Sequence, residues 1–158
     1  MLTVEYSPAM GEKTWEADAA KAAFNAAWEL IDLEGRTPEQ QIEMLLCAAA
    51  SRYLWAQAGG GDDGSSLAIG DWQVAHVLSH LGAGELALLF ADSAHARVLA
   101  GGWTDWRLAS AEEGLARAYA TLGDREARDR HAEACRRLLP ELDAEDRDLI
   151  EGQLTTIQ

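Results

Sequence analysis

The chain has 158 residues, which is the size of one domain and long enough to bury a core without disulfides. Hydrophobic residues make up 48% and charged residues 25% of it, and three prolines and two phenylalanines beside abundant alanine favour helices. The formal net charge of −14 repels phosphate backbones and anionic lipid headgroups, so nucleic acid and membranes are poor partners. The composition therefore predicts an all-α protein whose acidic surface serves solubility or attracts a basic partner.

Two features bear on the compartment. No stretch approaches the ~20 uninterrupted apolar residues that cross a bilayer, and residues 1–11 lack the basic start and apolar run of a signal peptide. Cys47 and Cys135 lie outside any CxxC pattern and within apolar helical contexts, which predicts two reduced core cysteines. We therefore expect a cytoplasmic protein.

The N-terminal third predicts a short arm and one helical hairpin. Residues 1–13 show no periodicity, so we expect a flexible arm, followed by a single helical domain over 14–158. The first helix is expected to begin at Thr14 and to end before Gly35, and Thr37 with Pro38 begins the second. Polar, glycine-rich residues 59–66 then form the most flexible internal connector.

The middle of the chain predicts a second hairpin. Ser65 or Ser66 is expected to cap a third helix that ends near Leu81, and a fourth helix follows from Glu85 to about Leu99. The apolar periodicity predicts that these side chains of the second and fourth helices face the core: Ile42, Leu45, Leu46, Ala49 and Tyr53, and Leu86, Leu89, Phe90 and Ala94.

The last third predicts a third hairpin and a terminal helix. Thr104 or Asp105 caps a fifth helix, and a very short turn at Gly123 and Asp124 joins it to a sixth helix. Pro140 ends that helix, and Asp143 with the acidic residues after it begins a short capping helix. The chain is thus expected to form hairpins over 14–58, 66–99 and 103–139 plus a cap.

The third hairpin resembles a tetratricopeptide repeat. The small and bulky positions of such a repeat are matched by Leu115, Ala116, Tyr119, Leu122, Gly123, Ala127 and Ala134. The resemblance covers residues 66–139 and extends to 14–58 by extrapolation, although the offset between units is 40 or 41 residues instead of 34. It implies antiparallel hairpins stacked as a right-handed superhelix, an interaction scaffold. More faintly, Ile42 to Met44, Ser51 to Trp55 and Glu145 to Ile157 resemble segments of small uncharacterised bacterial proteins, which implies no activity.

Candidate catalytic residues are few. His76 and His80 share a helix face at the spacing of two metal ligands, but HEXXH requires glutamate where Val77 stands, and a third ligand such as His95 or an acidic side chain must come from folding. Two partly exposed histidines beside a hairpin interface are the favoured interpretation. The position of His131 indicates a hydrogen-bonded packing residue rather than a catalytic base. No nucleophile, phosphate-loop or dinucleotide motif is present, so we expect neither catalysis nor a cofactor.

The six tryptophans offer a candidate binding site. Trp72 and Trp106 each stand near the start of the first helix of a repeat-like unit, and the resemblance implies that such helices line a concave groove. This groove would be lined by Arg52, Trp55, Trp72, Gln73, His76 and Trp106. The alternative is that Trp72 and Trp106 hold adjacent hairpins together by packing between them.

The leading hypothesis is a non-catalytic module that binds a peptide or partner helix, with a basic partner suited to the charge. One alternative is a small metal-dependent or hydrolytic enzyme that uses His76 and His80. The other is a self-associating structural protein, with a homodimer left open by the sequence.

Overall fold

The computed structural model describes residues 15–158, and the predicted arm over residues 1–13 and the predicted cap Thr14 lie outside this range. The described residues form helices and turns without strands. The elements are α1 (Trp15–Ile31), α2 (Pro38–Gln57), α3 (Ser65–His80), α4 (Gly84–Gly101), α5 (Trp106–Leu122), α6 (Arg125–Leu138), a 3₁₀ turn (Leu139–Glu141) and α7 (Ala144–Thr155). The prediction of an all-α protein is confirmed.

Most helix ends follow from their local sequence. Thr37 and Gln40 form a reciprocal capping box in front of Pro38, with the Thr37 N–H donating to Gln40 Oε1 at 2.9 Å. Asp105, Asp124 and Asp143 accept backbone N–H bonds at the starts of α5, α6 and α7, as predicted.

Glycines at helix ends, among them Gly64 and Gly123, adopt the left-handed backbone region. Gly123, with φ of +79°, ends α5 and allows the tight turn into α6. The predicted serine cap of α3 is wrong, because Gly64 with φ of +78° occupies that position and Ser65 is already the first helical residue. The Ser65 N–H is instead satisfied by Asp63 Oδ1 at 2.9 Å.

Consecutive helices pack in pairs: α1 with α2, α3 with α4, and α5 with α6. Contacts of α2 with α3 and of α4 with α5 join the pairs, and α3 and α5 also contact each other directly. Helix α7 rests on α5 and on the 3₁₀ turn. Helices α3 and α5 therefore lie at the centre, and α3 is buried at every position from Gly70 to Leu78.

Small residues dominate the buried core. The main cluster joins α1 to α5 around Ala27, Met44, Ala48, Val77 and Ala87. A second cluster joins α5, α6 and α7 around Ala116, Ala132, Cys135, Ile150 and Leu154. Both cysteines are free thiols, with Cys135 buried and Cys47 partly buried. Alanines at these positions let helix backbones approach closely.

The predicted core faces of α2 and α4 are partly wrong. Ile42, Leu46 and Tyr53 are 61%, 57% and 64% exposed, and Leu86 and Leu89 are exposed as well. The buried positions are these smaller or more flexible residues: Met44, Ala48 and Ser51 in α2, and Ala87, Ala91, Ala94 and Val98 in α4. Close helix packing selects the stripe with less side-chain volume, and that choice depends on neighbouring helices rather than on periodicity.

A buried carboxylate ties the first two helix pairs together. Asp71 in α3 is 1% exposed and accepts hydrogen bonds from Arg52 of α2, from Ser93 Oγ at 2.7 Å and from Arg97 Nε at 2.8 Å. Two guanidinium groups and a hydroxyl thus offset the desolvation of one carboxylate.

Over residues 15–158, no helix combines the length and the apolar content that a bilayer crossing demands.

Candidate functional site

A concave pocket of about 960 Å³ lies between α1, α3, α5 and α7. We call it the four-helix pocket. Its lining comprises Phe24, Trp28, Ile31, Asp32, Ile69, Trp72, His76, His80, Trp106, Ser110, Asp146, Asp148, Leu149, Ile150, Gly152, Gln153 and Thr156. Its size and its largely apolar, aromatic lining match those of ligand-binding clefts.

Aromatic rings form a continuous wall along α1 and α3. The ring centroids of Trp28 and Trp72 are 5.5 Å apart, and Trp28 contacts His76 edge to face at 5.2 Å. The wall continues from His76 to His80 at 5.0 Å and from Trp28 to Phe24 at 6.3 Å. Spacings of four residues bring these side chains to one face of each helix. The wall therefore offers a large, fixed apolar surface.

Trp72 is fixed by a buried polar network. Its Nε1–H donates to Glu113 Oε2 at 3.0 Å, and the other Glu113 oxygen accepts from Arg117 Nε at 2.8 Å. Glu113 is 0% exposed and Arg117 is 6% exposed. A Cβ on Gly114 would lie 2.8 Å from Trp72 Cδ1, so the indole packs directly on the α5 backbone. Trp72 is thus held in place by α5.

Arg117 also attaches α7 to the rest of the protein. Its Nη2 donates to the carbonyl oxygen of Gln153 and to Thr156 Oγ1, both at 2.8 Å. Ile150 and Leu154 anchor the same helix through the second core cluster. The α7 wall of the pocket is therefore fixed by one buried arginine and two apolar side chains.

His76 is the most deeply buried polar residue of the pocket lining. It is 3% exposed, and its Nδ1 has no hydrogen-bond partner among residues 15–158. Burial, with Arg117 and His80 nearby, lowers the pKa of His76 well below its ordinary value. Desolvation and the positive charges of Arg117 and Arg36 also lower the pKa of the more exposed His80. Both imidazoles are therefore neutral at pH 7, and each presents one acceptor and one donor nitrogen.

Carboxylates surround the opening of the pocket. Asp32 stands at the end of α1, and Asp146 and Asp148 lie in the first turns of α7. Desolvation and the adjacent Asp143 and Glu145 raise the pKa of Asp146. Among the described residues that line the pocket, three are aspartates and none is lysine or arginine. The lining is therefore negatively charged and favours a cation.

The predicted site residues separate into two groups. Trp72, His76 and Trp106 line the four-helix pocket together, as the groove hypothesis requires. Trp72 is 7% exposed and packs against Trp28 of α1 and the backbone of α5, so the packing alternative describes part of its role. Trp106 is partly exposed, and Arg107 Cζ lies 5.6 Å from its ring centroid.

Arg52, Trp55 and Gln73 do not line the pocket. Arg52 is engaged by Asp71, and Trp55 lies near the glycine-rich turn, where a Cβ on Gly61 would be 3.8 Å from its ring. Gln73 is fully buried, and its Nε2 donates to the carbonyl oxygen of Phe24 at 2.9 Å. Gln73 follows Trp72 directly, and a rotation of about 100° per helical residue turns its side chain away from the face that carries Trp72 and His76.

Sequence reasoning missed the α7 wall and the α1 contribution to the pocket. The groove predicted from the sequence includes no residue of α1, and the sequence predicts only a capping role for the terminal helix. The acidic first turn of α7 fits either an N-terminal charge preference or a binding surface. Only its position beside Trp106 and Ser110 identifies it as part of the pocket.

Three further titratable side chains form a separate cluster. Glu112 accepts from His95 Nε2 at 3.0 Å and from His131 Nδ1 at 2.7 Å, joining α4, α5 and α6. The hydrogen bond with Glu112 raises the pKa of His95. The ring of His131 stacks on Tyr119 at 5.5 Å, which confirms that it is a hydrogen-bonded packing residue.

His76 and His80 lie side by side on α3, as the metal hypothesis requires, but a third ligand is missing among the described residues. Among residues 15–158, no group of three or more His, Cys, Asp and Glu side chains is arranged to hold a metal ion. His95, the suggested third ligand, is bonded to Glu112 instead.

Comparisons of the chain with protein-family models, with curated proteins and with solved structures found no match.

Proposed function

We propose that this protein is a non-catalytic binding module that takes a peptide or a partner helix in the four-helix pocket. The observation that supports the proposal is the pocket itself, a cleft of about 960 Å³ walled by Trp28, Trp72 and Trp106. Buried aromatic anchors in a preformed cleft are the usual source of peptide affinity. Because Trp72 and α7 are already fixed, a ligand would meet little ordering cost in the protein.

The arrangement of helices supports a tetratricopeptide-like stack as part of this proposal. The first helix of each pair, α1, α3 and α5, contributes to the pocket together with α7. In tetratricopeptide-like stacks the first helices line the concave surface, which binds extended peptides or helices. The cytoplasm is the proposed compartment, and the free thiols of Cys47 and Cys135 suit its reducing conditions.

A basic partner is favoured by charge. The chain carries 27 acidic against 13 basic residues, and the pocket lining has the same sign. Such a field speeds encounter with cationic partners and weakens as salt screens it. We therefore expect peptides retained by the protein to be enriched in lysine and arginine.

The test is retention of a randomised heptapeptide library on the immobilised full chain, read by mass spectrometry. Trp106→Ala should lower retention, because the partly exposed indole supplies contact area in the pocket. Since the same side chain packs against the second core cluster, circular dichroism checks that the variant retains its helices. The matched control is Trp15→Ala, which removes an indole that is 50% exposed on α1 and does not line the pocket. Equal retention by wild type and Trp106→Ala, or no retained peptide, would contradict the proposal.

A second candidate function is self-association through α2. Ile42, Leu46 and Tyr53 share one outer face of this helix and are each more than half exposed. A row of large apolar side chains on a helix surface is typical of a packing face. Sedimentation velocity at rising concentration tests it: a dimer that Leu46→Glu abolishes supports self-association, and a monomer at all concentrations rejects it.

A further inference from the structure

The polar groups of the four-helix pocket share one property. Asp32, Asp146 and Asp148 offer carboxylate oxygens, and no described lining residue carries a positive charge. Two buried lining atoms also lack a hydrogen-bond partner, Nδ1 of His76 and Oε1 of Gln153. Unpaired buried polar atoms are rare in folded proteins, and each needs a partner such as a water molecule, an ion or a ligand. The pocket is therefore rich in acceptors.

The ring of Trp106 already contacts one guanidinium group of the chain itself, that of Arg107. Arg107 places its guanidinium carbon 5.6 Å from the centroid of the Trp106 ring and 5.0 Å from that of Trp103. The partly exposed Trp106 also lines the pocket, together with Asp146. A planar guanidinium stacks on indole and donates two parallel hydrogen bonds to a carboxylate, whereas an ammonium acts as a point charge.

Asp146 has no counterion of its own. None of the ion pairs among residues 15–158 includes it, whereas Asp148 lies 3.6 Å from Arg147 and Asp105 lies 3.6 Å from Arg107. The carboxylates around it, Asp143 and Glu145, add to the negative potential. A cation bound here would relieve repulsion that the free protein retains.

We propose that the four-helix pocket is a guanidinium site: it binds a guanidinium group on an aliphatic stem, with the stem against the indole wall and the head between Trp106 and Asp146. The inference rests on the proposed function and narrows it to arginine-bearing segments. A free alkylguanidinium has the same chemistry, so the experiment separates the two sources.

The experiment uses isothermal titration of the full chain with two matched probe pairs. One pair is the capped heptapeptide Ala-Leu-Ala-Arg-Ala-Leu-Ala and its citrulline analogue, which replaces the guanidinium by an uncharged isostere. The other pair is n-butylguanidinium and n-butylurea. Each charged probe should bind about three- to tenfold more tightly than its neutral partner at low salt, and the difference should shrink at high salt.

Two charge-matched variants locate the effect. Asp146→Asn should abolish the preference for the charged probe, while Asp62→Asn, which removes an exposed carboxylate outside the pocket, should preserve it. Because Asp146 lies in the first turn of α7, Asp148→Asn serves as a second pocket variant, and circular dichroism checks that both retain their helices.

The outcomes distinguish this inference from the proposed function. Equal binding of the arginine and citrulline peptides would overturn the guanidinium site and leave peptide binding intact. Binding of n-butylguanidinium that depends on Asp146, with neither peptide bound, would support the site and contradict peptide binding. No binding by any charged probe would overturn the inference.

Discussion

Gly114→Ala gives the sharpest test of how the pocket is built. In an open helix position, alanine in place of glycine stabilises by about 1 kcal/mol. At Gly114 the new Cβ would meet Trp72 Cδ1 at 2.8 Å and Nε1 at 3.4 Å. The indole is 7% exposed, lies 5.5 Å from Trp28 and is bonded to Glu113, so a shift away from the new Cβ would disturb both contacts.

The expected cost of this variant follows from those contacts. Overpacking costs ~1–3 kcal/mol, and a weakened hydrogen bond to the charged Glu113 adds about 1.5 kcal/mol or more. Together these exceed the gain in helix propensity, so the free energy of unfolding should fall by about 2 kcal/mol. Urea denaturation followed by circular dichroism measures this change, and near-ultraviolet circular dichroism reports the displaced indole.

Gly152→Ala is the matched control. Gly152 also lies within a helix, and a Cβ there would meet no atom within 4 Å. This variant should stabilise the protein by ~0.5–1 kcal/mol. If Gly114→Ala stabilises to the same extent, Trp72 does not pack on the α5 backbone and the described wall of the pocket is wrong.

Three further predictions concern stability. Arg117→Met leaves the fully buried Glu113 without its cation and should lower the free energy of unfolding, measured by urea denaturation, by ~3–5 kcal/mol. Adding Glu113→Gln should recover part of that loss. An unchanged stability of Arg117→Met would contradict the buried ion pair. His95→Gln should destabilise the protein more near pH 6 than at about pH 9. The raised pKa of His95 contributes stability that is present below the unfolded-state pKa and is lost as the pH rises through the folded-state pKa. A pH-independent cost would exclude a charged bond from His95 to Glu112. Ala127→Leu should lower stability by ~1–3 kcal/mol through overpacking of a residue that is 4% exposed, and an unchanged melting temperature would refute close packing of α5 on α6.

Local features of the fold were predictable from the sequence because their causes are local. The capping box at Thr37, the aspartate caps of the last three helices and the turn at Gly123 all depend on residues within one helical turn. The buried faces of α2 and α4 were not predictable in the same way. Periodicity shows that Leu46 and Ala48 lie on different faces, but neighbouring helices decide which face is buried.

The candidate site shows the same division. The sequence placed Trp72, His76 and Trp106 in one groove because they stand on the first helices of repeat-like units, and all three line the pocket. It did not show that Arg52 donates a hydrogen bond to Asp71, a partner 19 residues away in α3, and therefore does not line the pocket. Nor did it reveal the α7 wall, because the position of α7 depends on the hydrogen bond from Arg117 in α5 to the carbonyl oxygen of Gln153.

The central claim, that the four-helix pocket binds a peptide, is tested most directly by the indole N–H resonances of the six tryptophans during titration with the arginine heptapeptide. We predict that the resonances of Trp28, Trp72 and Trp106 shift together and reach saturation as peptide is added. Those of Trp15 and Trp55, which do not line the pocket, should stay in place. Shifts confined to Trp15 or Trp55, or no shift at any tryptophan, would contradict it.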